Sequence, residues 1–86
     1  MSTAPEMTLA VNRMKRAQGQ LAGVLRMIDE GRDLPDVVNQ LKAVSRALER
    51  AGLAMVAGEM RCRLGDGGVP ESADLDELEK LLLSLA

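Results

Sequence analysis

Eighty-six residues, 47% hydrophobic and 28% charged, suit one small domain with a thin core of its own, so burial against a second chain is expected. The net charge is −2, and Phe, Tyr, Trp and His are all absent. That composition excludes aromatic platforms for single-stranded nucleic acid, removes the commonest metal ligand and the usual general base, and argues against an enzyme.

A first helix is predicted over about 7–31, capped by Thr3 or Thr8, with residues 1–6 as a disordered lead-in. Gly31 stops it by taking the left-handed conformation. Met14, Ala17, Leu21, Val24, Leu25 and Ile28 recur at a spacing of three to four and make one apolar stripe. The stretch RMKRAQGQLAGVLR, Arg13 to Arg26, also holds two glycines in mid-helix, where each costs roughly 1 kcal/mol relative to alanine. On a helical projection Lys15, Arg16, Gly19, Gly23 and Arg26 share an arc apart from the stripe. A bare ledge among cations admits close approach by a phosphate backbone or by another subunit, and the spacing favours neither.

The second helix is predicted over 34–64, with Asp33 as cap and Pro35 in the first turn, where a missing N–H is tolerated. Val37, Leu41, Val44, Leu48, Ala51, Met55 and Cys62 form a narrow seam along about 45 Å of helix. So long a seam needs partners along its length, and dimerisation through this helix is the economical solution. Lys42, Arg46 and Arg50 follow at i, i+4 and i+8 away from the seam. They read either as a solvated stripe or, pooled between subunits, as a surface that neutralises several phosphates.

GDGGVPES reads as a loop, and a third helix is predicted over 73–85. Asp74 and Glu77 stand in capping-box spacing, and Leu75, Leu78, Leu82 and Leu85 share one side. The expected fold class is therefore all-α, with three helices in a single domain over 1–86. Charge is uneven along it: residues 1–64 hold ten Lys/Arg against seven Asp/Glu, and residues 65–86 hold one against six. A basic working surface is thus compatible with net acidity. The N-terminal stretch lacks a basic region followed by a long apolar run, and a lone Cys62 makes no intramolecular disulfide, so a cytoplasmic location without membrane contact is expected.

The segment NRMKRAQGQLAGVLRMIDEGRDLPDVVNQLKAVSRALERAG, Asn12 to Gly52, resembles the CsoR/RcnR/FrmR family of bacterial transcriptional repressors. The resemblance rests on GQ-x-x-G-x-x-RM, D-x-x-DV-x-x-Q and AV-x-x-AL, and it continues more weakly to the end of the chain. It implies all-α dimers whose long second helices pack together as an antiparallel four-helix bundle, tetramers built from them, and binding to double-stranded operator DNA, often GC-rich. By position it places the family's operator-binding residues on Arg13 and Arg50. Lys15 and Arg16 lie in the same basic segment, and Arg46 and Lys42 join on the strength of the stripe alone.

The chain departs from the family at the sensor. Copper-sensing members carry Cys, His and Cys where this chain has Leu34, Glu59 and Arg63, and soft Cu(I) finds no thiolate or imidazole among them. Nickel and cobalt members need the same His and Cys, and formaldehyde- and persulfide-type sensing begin with the missing first cysteine. No metal and no cofactor are expected. Glu59 and Arg63, at i and i+4, form either an internal ion pair that holds one state or the residue of drift at an abandoned site. Cys62, on the apolar seam, is read as a buried small hydrophobe, or else as a thiol sensor activated by Arg61 and Arg63. The alternative to a repressor is a helical interaction subunit, such as a hetero-oligomer partner of a ligand-bearing paralogue. An orphan metal protein using Cys62 and Glu59 is a third reading.

Overall fold

A computed structural model of the chain describes residues 5–64 and 72–85. Three helices follow in order, α1 (Pro5–Asp29), α2 (Leu34–Leu64) and α3 (Ser72–Ser84). All described regular structure is helical, as expected from the periodicities. Thr3 and most of the GDGGVPES segment lie outside the described residues.

The helix α1 begins two residues before its expected start, with Pro5 in the first turn and Glu6 favoured there by the helix dipole. Its end is a Schellman motif. Arg32 N–H donates to the Met27 carbonyl at 2.9 Å and Gly31 N–H to the Ile28 carbonyl at 3.1 Å, which turns the chain sharply. Gly31 sits at φ 72° to allow it. Two residues later Asp33 opens α2, its carbonyl accepting from Asp36 and Val37 N–H groups. Pro35 occupies the first turn as expected.

The two long helices pack against each other, and α3 packs on α2. Their joint is made of small side chains: Ala10, Ala17 and Val24 of α1, with Val44, Ala51, Ala54 and Gly58 of α2, are buried. Small residues let the helix axes approach but bury little apolar area. The result is a slab one helix layer thick, 53 × 22 × 14 Å. Helix α3 contributes one buried side chain, Leu78.

The apolar stripes read from the sequence are only half used. Ala17, Val24, Val44 and Ala51 are buried, while Leu21, Leu25, Ile28, Leu41 and Leu48 of the same stripes are exposed. Cys62 is also exposed, which corrects the reading of it as buried. It stands in the last turn of α2, two residues before the helix ends at Leu64, between the exposed Arg61 and Arg63. Among the described residues no helix is long and apolar enough to cross a membrane.

Candidate nucleic-acid interface

At 100° per residue Arg46 and Leu48 point about 160° apart on α2, and Arg16 and Leu21 about 140° apart on α1. The slab therefore has two unlike faces. On one, Met14, Ala17, Gln18, Leu21, Val44 and Leu48 line an apolar groove. On the other, Arg13, Arg16 and Gln20 of α1 face Ala43, Arg46, Ala47 and Arg50 of α2 across a cavity of about 380 Å³.

Four of the six predicted DNA-binding residues thus come together in one groove, drawn from two helices. The turn at Gly31 runs α2 back along α1, which places Arg13 beside Arg50 although 37 positions separate them. The Arg13 guanidinium donates to the Arg50 main-chain carbonyl at 3.3 Å. That bond orients Arg13 and leaves its remaining N–H groups for an incoming acceptor. Ala43 and Ala47 provide a low floor between the cations. No carboxylate lines the groove, and among the described residues none of the four arginines makes an ion pair. Lys15 and Lys42 are exposed but do not line it.

Gln20 was not singled out by sequence reasoning, yet it lines the groove, and its Oε1 is buried without a hydrogen-bond partner among the described residues. Its signal was its place one turn from Arg16 and two from Arg13. The glycine ledge lies beside the groove and is open among the described residues. A Cβ at Gly19 would meet nothing within 4 Å, and one at Gly23 only the Arg26 Nη2 at 3.7 Å.

The three positions of the family's sensor have a different fate. Leu34 is exposed at the start of α2, about 37 Å along the helix axis from Glu59. Arg63 Nε donates to Glu59 at 3.1 Å, as the i, i+4 spacing suggested. The same guanidinium also reaches α3, donating from Nη1 to Asp74 at 3.1 Å and to Glu77 at 2.9 Å, and from Nη2 to Glu77 at 3.2 Å. Hydrogen bonds from Arg63 hold the Glu77 carboxyl below its ordinary pKa, and Glu77 and Glu59 raise that of Arg63. In the same last turn of α2, Arg61 donates to Glu6 at 2.7 Å, tying it to the first turn of α1.

This donor set does not suit a soft metal ion. Leucine offers no lone pair, and the Glu59 carboxylate and the Arg63 guanidinium already engage each other. Among the described residues no group of three or more His, Cys, Asp or Glu is placed to hold a metal.

Comparison with known proteins gives a coherent result. The profile of the family described as "Metal-sensitive transcriptional repressor" matches residues 6–84. A "Copper-sensing transcriptional repressor CsoR" from Mycobacterium ulcerans (strain Agy99) is 45% identical over 47 residues, covering 55% of this chain and 40% of that protein. The CsoR of Mycobacterium tuberculosis (strain ATCC 25618 / H37Rv) is 40% identical over 47 residues, with the same coverage. A "Copper-sensing transcriptional repressor RicR" of that strain is 39% identical over 44 residues, covering 51% of this chain and 46% of its own. The chain thus spans less than half the length of the curated relatives it matches. No solved structure matches it significantly.

Proposed function

The chain belongs to the metal-sensitive transcriptional repressors, a family of regulators and not of enzymes, and from that premise we propose that it binds operator DNA through the groove of Arg13, Arg16, Arg46 and Arg50. The observation that supports this most is four guanidiniums in one concavity without a carboxylate partner among the described residues. Such a site neutralises phosphates and releases their counterions, so affinity falls steeply with salt. Neither α1 nor α2 is a short recognition helix, so the contacts fix position on the backbone, and sequence preference comes from DNA shape. Lys15 and Lys42 would add long-range attraction from outside the groove.

The working form is an oligomer, because one groove grips few phosphates and the apolar face is uncovered. Release is independent of Cu(I), since Leu34, Glu59 and Arg63 supply no soft donor. Cys62, exposed between two arginines, is the residue to which a thiol-directed inducer would turn.

Titration of the purified protein against the DNA upstream of its own gene at two salt concentrations tests the reading. Specific binding at low salt that weakens at high salt is expected. Charge reversal, Arg13→Glu or Arg50→Glu, is expected to abolish it while helicity and assembly persist. A folded oligomer with no specific shift at low salt would leave the interaction-subunit reading in its place.

A further inference from the structure

The arginine groove is a pocket as well as a surface. A rod of DNA needs only a basic ridge, whereas these guanidiniums surround a concavity of about 380 Å³, the size of small-molecule sites. We infer that the groove is also a receptor for a small linear polyphosphate, of the triphosphate class, which competes with the operator for the same arginines. This rests on the DNA reading for its regulatory consequence, but not for the binding itself.

Charge, donors and walls all point to that class. Four cations with no ion-pair partner among the described residues match a tri- or tetra-anion better than a single phosphate. Planar guanidiniums give paired N–H donors to phosphate oxygens, and the Arg13–Arg50 carbonyl bond holds one fork in place before any ligand arrives. Gln20 adds donors. Its side-chain amide lines the groove and carries two N–H donors of the kind a phosphate oxygen accepts from.

The walls say what is not recognised. The groove's other lining residues are Gln20, Ala43 and Ala47, and the chain contains no aromatic residue, so a nucleobase finds no aromatic side chain to stack on. Binding therefore depends on the phosphate chain and hardly on what it is attached to. With no carboxylate in the lining, nothing shares a magnesium ion, and the uncomplexed anion is the preferred form.

The test uses the full chain in its assembled form, without DNA, and calorimetric titration with sodium tripolyphosphate, ATP, AMP and orthophosphate at matched ionic strength. Saturable binding of tripolyphosphate and ATP is expected within about threefold of each other, and at least about tenfold tighter than AMP or orthophosphate. Arg16→Gln and Arg46→Gln are expected to weaken it by about tenfold, whereas Lys15→Gln and Lys42→Gln, outside the groove, change it less than about twofold. Circular dichroism confirms that each variant is folded. No saturable binding, or equal losses from the arginine and lysine variants, overturns the site. A second arm adds tripolyphosphate to the operator complex: displacement that tracks occupancy supports competition, and full occupancy with the complex intact overturns it. Failure of the DNA reading would appear separately, as no operator complex before any anion is added.

Discussion

Gly31 and Gly19 look alike in the sequence, and the structure gives them opposite roles. Gly31 holds φ at 72°, where a side chain is strained, so Gly31→Ala is expected to cost about 1–2 kcal/mol in urea denaturation of the protein, with Gly31→Asn milder. Gly19 is helical with open space at its Cβ, so Gly19→Ala is expected to add up to about 1 kcal/mol in the same measurement. Gly19→Leu then reports what lies on the ledge: loss of assembly marks protein, and loss of operator affinity alone marks DNA. Gly31 was legible from sequence because a helix stop before Asp33 and Pro35 leaves a glycine one use. The ledge was legible as a place but not as a contact, because among the described residues only the Arg26 side chain comes within 4 Å of it. Gln20 was passed over because a lone glutamine on a polar face carries no periodic signal.

At the scale of elements, the joint between α1 and α2 was readable and the seat of α3 was not. Local spacing predicts Glu59–Arg63, but Asp74 and Glu77 meet Arg63 across an intervening segment, and their spacing had another explanation as a helix cap. One guanidinium serving three carboxylates makes Arg63 the peg on which α3 hangs. Gly52 helps from the other end: a Cβ there would stand 2.8 Å from Leu85 Cδ2, so its absence lets α3 settle close to α2. The ion-pair seat depends on pH with a definite sign. Because the folded Glu77 carboxyl titrates below its ordinary value, its contribution is complete above the ordinary carboxylate range and is lost as pH falls through the depressed one. Amide hydrogen exchange in α3, corrected for intrinsic rates, is therefore expected to lose protection on acidification before the α1–α2 joint does. Arg63→Met is expected to lower that protection already at neutral pH and to flatten its pH dependence. Unchanged protection in that variant would show that Leu78 alone seats the helix.

For the molecule as a whole, the two faces of the slab differ in kind, one basic and one apolar. A stable domain needs two layers around its apolar surface, and this chain supplies one, leaving Leu21, Leu25, Ile28, Leu41 and Leu48 in water. A second copy laid on that face would bury it while leaving the arginine groove outward, so in the proposed function assembly and DNA binding would use opposite surfaces. The consequence is quantitative. If one groove neutralises four phosphates, the logarithm of affinity falls with the logarithm of salt at a slope of roughly −3.6, and two grooves on one duplex double it. Leu48→Glu places a charge in the apolar groove and is expected to dissociate the assembly, as read by light scattering, with much of the helicity kept. Its groove remains whole, so the salt slope for operator binding is expected to fall to about half that of the parent protein and not to zero. Arg46→Gln is the complementary case, with assembly intact and the slope lowered by about one unit for each groove engaged. An unchanged slope in a dissociated Leu48→Glu protein would mean that a single slab grips the duplex alone, and that the apolar face serves a partner other than its own copy.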